Sequence, residues 1–284
     1  MAVAQAPHIA LIGGGYTLQK VAALLPPGFF VITSRDATTC AAWREMGWNA
    51  FQLSLEDPKN LAAFFDRYPS ISCVVDSVPP IRSSSNPALG VKNLCAAMRG
   101  RGVQKVIYLS TTGVFGVRDG SVVTEETPAR PWNQQGEARW LSEEAYRSSG
   151  IPFTALRLPA IYGPDRGLLQ SIREGSYRLV EGGTFWTNRI HVDDLARCVE
   201  RAIATDGLPS VLCVSDDAPT LAREVAEFVC AKEGLPLPGF VSADEVLSRG
   251  GFTMLSNQRV QNALMKQLLG VTLRYPSYRE GLYS

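Results

Sequence analysis

The first two thirds of the chain alternate between short apolar runs and longer amphipathic segments. The apolar runs are rich in β-branched residues and predict buried strands at His8–Ile12, Phe29–Thr33, Ala50–Leu53, Ser72–Asp76, Lys105–Ser110 and Phe153–Arg157. The amphipathic segments predict helices at Leu18–Leu25, Thr38–Met46, Lys59–Tyr68, Ala88–Arg99 and Glu137–Ser148. This alternation favours an α/β fold built on a doubly wound parallel sheet.

A glycine-rich turn separates the first predicted strand from the first predicted helix. Strand, glycine turn, helix and strand form the βαβ unit of a Rossmann sheet that binds a dinucleotide. Gly13 permits the tight turn, and Gly15 lets the backbone approach a pyrophosphate at the helix N-terminus. Leu18 stands in place of the third glycine, and we expect it to alter packing more than binding. The residues expected to contact the cofactor here are Gly13, Gly14, Gly15, Tyr16 and Thr17.

The second predicted strand ends near the position where the adenosine ribose is normally bound. An acidic residue there favours the free 2′-hydroxyl of NAD, but this chain has Arg35 beside the hydroxyl of Ser34. A guanidinium binds phosphate oxygens in a forked geometry, so the pair predicts NADP. Asp36 follows at once and keeps NAD as an alternative.

After Pro164, apolar runs and amphipathic segments no longer alternate regularly. The remaining predicted elements are helices at Gly167–Glu174 and Asp193–Thr205, a strand at Pro209–Val214 and a mostly helical end. We expect residues 1–164, with 188–215 returning to them, to form the NAD(P)-binding domain. Residues 165–187 and 216–284 are expected to form a smaller, mostly helical lobe for the substrate.

Composition narrows the class of protein. The net charge of +1 gives no indication of a nucleic-acid or membrane surface, and no apolar run approaches the length of a membrane span. The six cysteines are scattered without Cys-x-x-Cys pairs, which predicts buried reduced thiols, and two distant histidines make a metal site improbable. Residues 1–7 carry no signal-peptide core, so we expect a cytoplasmic protein, or an organellar one if a targeting segment has been removed.

Two strand ends carry polar groups. The fourth strand opens into a loop at Ser77, Val78 and Pro79, which we expect to lie over the cofactor. The fifth ends in the hydroxyls Ser110-Thr111-Thr112, which could bind a substrate oxygen or simply cap the next segment.

Four blocks of sequence make the chain similar to the extended short-chain dehydrogenase/reductases, the NAD(P)-dependent epimerase/dehydratase family. The blocks are Gly13-x-Gly15, Ser110–Gly116, Leu156–Pro164 and Arg189–Ala196. The resemblance implies that Thr111 is the catalytic hydroxyl residue and that Pro159 and Ala160 lie near the nicotinamide. It also implies a homodimer as one arrangement, through the helices predicted at Ala88–Arg99 and Glu137–Ser148.

The Tyr-x-x-x-Lys motif of that family is absent, and Gln135 and Arg139 stand in its place. Glutamine cannot titrate, and arginine stays protonated, although it can bind ribose hydroxyls. The chain therefore resembles an atypical branch that lacks the motif. We expect Arg139 to contact the ribose or a substrate anion, and Glu137 is the first alternative for moving the proton, although it suits a solvated first helical turn equally well.

Other residues are open to a plainer interpretation. Tyr162 and His191 could approach the reacting atoms, but packing roles suit both better, and Asp193 is predicted to cap a helix. Aromatic residues of the small lobe either cover a small substrate or belong to its core: Trp132, Phe185, Trp186 and the segment 252–255.

Three functions fit this sequence. The first is an NADP-dependent oxidoreductase with a non-standard active site that acts on a small carbonyl or hydroxyl compound. The second is a non-catalytic NADP(H)-binding sensor or scaffold, and the third is a nucleotide-sugar epimerase or dehydratase.

Overall fold

A computed structural model describes residues 6–80 and 86–284, with the backbone alone at 252 and 253. The strands are β1 Ile9–Ile12, β2 Phe30–Ser34, β3 Asn49–Gln52, β4 Cys73–Asp76, β5 Lys105–Thr111, β6 Val122–Val123, β7 Phe153–Leu158, β8 Ala160–Tyr162, β9 Leu179–Val180, β10 Trp186–Thr187, β11 Arg189–His191, β12 Val211–Cys213, β13 Thr220–Leu221, β14 Phe240–Val241 and β15 Arg259–Val260. The helices are α1 Tyr16–Leu24, α2 Ala37–Glu45, α3 Pro58–Arg67, α4 Leu89–Met98, α5 Gln134–Arg147, α6 Leu168–Arg173, α7 Val192–Ala204, α8 Ala222–Glu233, α9 Ala243–Ser248, α10 Ala263–Leu269 and α11 Tyr278–Gly281.

Within the described residues, seven strands form one sheet in the order β12-β7-β5-β4-β1-β2-β3. β1 pairs in parallel with β2 and with β4, and parallel pairing continues to β3 and to β5. The sheet therefore grows first to one side of β1 and then to the other, which confirms the predicted doubly wound α/β fold. Sheets of this kind bind ligands at the carboxyl ends of the strands where the order switches, here β1 and β4.

Local sequence explains where several helices begin. The carboxylate of Asp57 accepts hydrogen bonds from the backbone N–H groups of Lys59 and Asn60, and Pro58 opens α3. Ser277 and Glu280 form a reciprocal capping box at α11. These short-range signals agree with the tertiary fold, so predicted and observed bounds differ by only a few residues.

The chain divides into two compact units. The first comprises Met1–Ser110, Glu137–Leu156 and Ala196–Leu212; the second comprises Thr111–Gly136, Arg157–Leu195 and Cys213–Ser284. This division does not coincide with the predicted boundary at residue 164. In the second unit β6 pairs with β15, and Phe115 and Val123 pack with Val260, so residues 111–136 cluster with the C-terminal part of the chain. The assignment of cofactor and substrate to separate lobes stays a prediction.

Each unit has its own apolar core. In the first unit, Val31, Val74 and Val106 pack with Phe64 and Leu94, which come from α3 and α4. The six cysteines are all buried, as the sequence predicted. No helix in the described part of the chain is long and apolar enough to cross a membrane.

We expect a buried carboxylate on α7 to be important for the stability of the second unit. The two carboxylate oxygens of Asp194 accept hydrogen bonds from the backbone N–H groups of Arg274 and Tyr275, both at 2.8 Å. Asp194→Ala leaves two donors without this acceptor and should lower the free energy of unfolding by about 3 kcal/mol. Urea denaturation measures the change. Glu200→Gln on the same helix is the control and should change it by less than about 0.5 kcal/mol; equal losses would contradict the prediction.

Candidate cofactor and active site

The glycine turn after β1 is held against β2. Gly13 has a φ of +82°, and its N–H donates to the Thr33 hydroxyl oxygen at 3.1 Å. The N–H of Gly14 donates to the Thr33 carbonyl at 2.7 Å. The tight turn predicted at Gly13 therefore has the left-handed backbone that favours glycine.

The three glycines of the turn differ in the space that a side chain would find. A Cβ added at Gly13 would lie 2.8 Å from Cγ2 of Val78. A Cβ at Gly14 would collide with the Trp43 ring and lie 2.7 Å from Cγ1 of Ile32, whereas one at Gly15 would meet nothing closer than 4.0 Å. Gly14 is thus a packing residue, a role that the sequence did not reveal. Gly15 leaves open space, as close approach by a ligand requires.

The N-cap residue of α1 makes no side-chain capping bond. Gly15 is the N-cap residue, it offers no side chain, and the first turn carries no acidic residue. Tyr16 is half-buried and Thr17 is buried. The backbone N–H groups at the start of a helix and the helix dipole favour an anion, so this end of α1 fits a pyrophosphate.

The end of β2 separates the roles of three polar residues. The Asp36 carboxylate accepts from the backbone N–H groups of Thr38 and Thr39 and from the Thr39 hydroxyl at 2.6 Å, so it caps α2. The Thr39 hydroxyl is the main cause of a lowered pKa at Asp36. The N–H of Asp36 donates to the Ser34 hydroxyl oxygen at 3.1 Å, and Arg35 is exposed.

The loop after β4, which contains Ser77, Val78 and Pro79, lies beside the glycine turn; its contact with a cofactor stays a prediction. The N–H of Ser77 donates to the carbonyl of Ile12 at 3.0 Å, and Val78 lies over Gly13. Pro79 is exposed.

The loop is held by a buried carboxyl group. Asp76 is fully buried, and its oxygens accept from the Val78 N–H at 2.8 Å and the Tyr146 hydroxyl at 2.6 Å. Burial raises the pKa of Asp76 to about 6, while the hydrogen bond from Tyr146 opposes the rise.

Arg139, which stands in the lysine position of the family motif, is anchored from one end of its guanidinium. Its Nη1 donates to the Tyr108 hydroxyl oxygen at 3.0 Å, to the Leu109 carbonyl at 3.1 Å and to the Val78 carbonyl at 3.4 Å. The side chain is half-buried. Arg139 therefore touches the ends of β4 and β5 in the first unit, where the sequence could name the residue but not its partners.

Thr111 and Gln135 belong to two segments that pack together in the second unit. The Thr111 hydroxyl oxygen accepts the N–H of Gly113 at 3.1 Å and so caps the following 3₁₀ turn. A Cβ at Gly136, next to Gln135, would lie 2.8 Å from the Gly113 carbonyl oxygen. The start of α5 is therefore close-packed on the loop that follows Thr111. The hydroxyl proton of Thr111 is not used by this cap.

The remaining predicted residues are placed as follows. Glu137 is exposed in the first turn of α5, which agrees with its interpretation as a solvated residue. Pro159 is half-buried, and Ala160 is exposed and pairs with Arg189 across β8 and β11. Their proposed contacts with a cofactor stay predictions.

Tyr162 and His191 have structural partners in the second unit. The Tyr162 hydroxyl donates to the Ser277 carbonyl at 3.2 Å, and the ring fills the space beside Gly281. His191 Nδ1 accepts the N–H of Asp193 at 3.2 Å, and its Nε2 lies 3.0 Å from the Ser284 hydroxyl oxygen. These contacts support the packing interpretation of both residues.

The predicted cap of α7 at Asp193 is wrong. The helix begins at Val192, so Asp193 lies inside its first turn. The ring of His191 bonds the N–H of Asp193 in the way that a capping side chain normally does, because it precedes the first helical residue.

Aromatic residues of the second unit contribute to packing. Trp132 and Phe185 pack against a cluster that contains Val180, Val241 and Leu255. The side chains of residues 252 and 253, also predicted to face a substrate, lie outside the described part of the chain. In the described ranges, no group of three or more His, Cys, Asp or Glu residues is placed to bind a metal ion.

Two solved structures match most of the chain. A functionally unknown conserved protein from Silicibacter pomeroyi DSS is 30% identical, covers 97% of this chain and 96% of its own, and has a TM-score of 0.79. The Bordetella bronchiseptica enzyme WbmG, solved with NAD and UDP, is 17% identical, covers 98% and 92% of the two chains, and has a TM-score of 0.79. The second likeness shows the fold alone.

Comparison of the sequence with known proteins finds relatives among reductases and sugar epimerases. A Streptomyces 3-diazoavenalumate denitrifying reductase is 26% identical over 209 residues, 68% of each chain. Four sugar 4-epimerases also match, but over only 24% to 37% of their own lengths. The model of the NAD dependent epimerase/dehydratase family matches residues 21–211. Since that span exceeds half of the chain, the protein belongs to the NAD dependent epimerase/dehydratase family.

Proposed function

We propose that the protein is an NADP-dependent oxidoreductase that acts on a small carbonyl or hydroxyl compound. The observation that carries the proposal is the open space beside Gly15 at the start of α1, which fits a pyrophosphate. Family membership and the reductase among the relatives support the oxidoreductase class. When bound, the cofactor supplies or accepts a hydride.

The choice of NADP rests on the end of β2. Asp36 uses both carboxylate oxygens to cap α2, so they are poorly disposed to accept hydrogen bonds from ribose hydroxyls. Arg35 is exposed, and the Ser34 hydroxyl still has its proton to donate. This arrangement favours a 2′-phosphate over a free 2′-hydroxyl.

The reacting groups are proposed from the residues that remain near the family motif. Thr111 donates a hydrogen bond from its hydroxyl to the substrate oxygen and keeps its own proton, while its oxygen accepts the N–H of Gly113. Arg139 binds the ribose and supplies positive charge, but it cannot act as a base. Gln135 can orient the substrate by hydrogen bonds but cannot titrate, so a water molecule supplies or removes the proton at the substrate oxygen. The exposed Glu137 is the nearest titratable group along the chain.

A specific observation favours each of the two alternative functions. The absence of a titratable group at Gln135 favours a non-catalytic NADP(H) sensor or scaffold. Relatives that are 4-epimerases favour redox-neutral conversion of a nucleotide sugar. Turnover that consumes NADPH in stoichiometric amount supports the oxidoreductase; turnover without net change in NADPH supports the epimerase.

The cofactor proposal is tested by titrating the protein with NADPH and NADH and following energy transfer from tryptophan to the dihydronicotinamide. We expect NADPH to bind at least about tenfold more tightly than NADH, because Arg35 adds a charge-assisted contact to the phosphate. Arg35→Ala should remove this preference while NADH binding is retained. Arg67→Ala, which removes an exposed arginine of α3, should leave the preference unchanged. Equal binding of both cofactors by the unmodified protein would contradict the proposal.

A further inference from the structure

A buried group of side chains surrounds Arg139 in the first unit. Tyr108 lies on β5, Asp76 at the end of β4, and Tyr146 on α5 two turns beyond Arg139. Asp76 and Tyr108 are register partners on neighbouring strands, and the rings of Tyr108 and Tyr146 lie 5.3 Å apart between centroids. All three of these residues are fully buried. None of them belongs to the substrate or cofactor residues assigned above.

The group is connected by hydrogen bonds that run towards Arg139. Tyr146 donates to Asp76, Asp76 holds the N–H of Val78, and the Val78 carbonyl accepts from Arg139 Nη1. On the other side, the Tyr108 hydroxyl and the Leu109 carbonyl accept from the same Nη1. Three oxygens therefore fix one end of the guanidinium.

The chemistry of arginine makes this anchoring useful. A guanidinium has five N–H donors in a rigid plane, so one end can be bound by the protein while the other donates to a ligand. Among the described residues, all recorded hydrogen bonds of Arg139 leave from Nη1, so Nε and Nη2 keep their donors. A lysine has a single nitrogen and cannot divide its donors between two distant sets of acceptors in this way.

We propose that Tyr108 is a positioning residue that orients Arg139 for the cofactor ribose, with the Asp76–Tyr146 pair holding the third acceptor, Val78, in place. This inference rests on the proposed function, because it assigns a task to Arg139 in cofactor binding. Tyr108 itself does not exchange protons with substrate. It is fully buried, and burial raises the pKa of its hydroxyl.

The substitution Tyr108→Phe isolates the hydroxyl contact. It keeps the ring, over which the Arg139 guanidinium carbon lies at 5.6 Å from the centroid, and removes only the oxygen. We expect NADPH affinity to fall about tenfold, since a hydrogen bond from a charged group is lost and the fork is free to turn. Tyr68→Phe, a tyrosine at the edge of the same core, is the matched control and should bind NADPH normally.

A double-mutant cycle distinguishes positioning from a general loss of structure. In an Arg139→Met background, Tyr108→Phe should have less than a twofold effect on NADPH affinity, because the residue it acts through is gone. A tenfold effect that persists without Arg139 would overturn the proposal. So would unchanged affinity in Tyr108→Phe.

Arg139→Lys gives an independent test if Tyr108→Phe melts well below the unmodified protein. We expect its NADPH affinity to match Arg139→Met within about threefold, because one ammonium cannot serve the anchor and the ribose together. Full affinity in Arg139→Lys would refute the divided guanidinium. If the unmodified protein binds no NADPH, the proposed function fails; if it binds and these variants behave otherwise, only the positioning role fails.

Discussion

Gly14→Ala should lower the free energy of unfolding by about 2–3 kcal/mol, whereas the neighbouring Gly15→Ala should unfold like the unmodified protein. The reason is the space beside each Cα. A methyl group at Gly14 collides with the buried Trp43 ring and with Ile32 in β2, and such overpacking is costly in a close-packed core. At Gly15 the nearest protein atom is 4.0 Å away, so the folded chain accepts the methyl group. Urea denaturation of both variants measures the difference.

In a cofactor titration, we expect Gly15→Ala to be the more damaging of the two substitutions. Gly15→Ala should weaken NADPH binding by about thirtyfold or more, because the methyl group occupies the space that a pyrophosphate needs to approach the start of α1. Whatever fraction of Gly14→Ala remains folded should still bind. If Gly15→Ala binds NADPH normally, the pyrophosphate does not pass this residue, and the assignment of the glycine turn is wrong.

Thr111→Val should reduce turnover by about a hundredfold once a substrate is found, because the valine cannot donate a hydrogen bond to the substrate oxygen. The same change removes the cap on Gly113, so the two effects must be separated. Thr111→Ser keeps both the cap and the hydroxyl and should retain most activity. Thr111→Asp keeps a capping oxygen, but its carboxylate has no proton to donate, so it should be as inactive as Thr111→Val.

The readout for this series is kcat together with the melting temperature of each variant. An active Thr111→Asp would show that the residue serves only as a cap, and the substrate role would be withdrawn. NADPH affinity serves as the internal control. It should be similar in the uncharged variants Thr111→Val and Thr111→Ser, since the proposal gives Thr111 a contact with the substrate oxygen and none with the cofactor.

The positions of several candidate site residues follow from local signals in the sequence. Gly13 and Gly15 follow from the strand–turn–helix order, and Arg35 follows from its place at the end of the second strand. The displacement of tyrosine and lysine by Gln135 and Arg139 is equally visible in the sequence. In each case the informative neighbours lie within a few residues along the chain, where element type and position are enough.

Other features needed the folded chain. Nothing in the sequence distinguishes Gly14 from Gly15, because the collision at Gly14 comes from Trp43 and Ile32 on α2 and β2. The cap that Asp36 forms on α2, on which the proposal of NADP depends, was seen only in the folded chain. Asp193 was wrongly predicted as a cap for a related reason: an acidic residue near a helix start fits either inside or before the first turn.

The sequence by itself therefore determined the doubly wound sheet and the glycine turn. Hydrophobic periodicity and turn chemistry are properties of short stretches, and burial imposes the same pattern wherever such strands pair in parallel. Only the tertiary structure decided what holds Arg139. Its partners Leu109 and Tyr108 lie on β5, 30 and 31 residues away, and Val78 lies in the loop after β4, 61 residues away; the pairing of β4 with β5 brings them together. A hydrogen bond depends on the distance and the angle between donor and acceptor, and the number of residues between them along the chain determines neither.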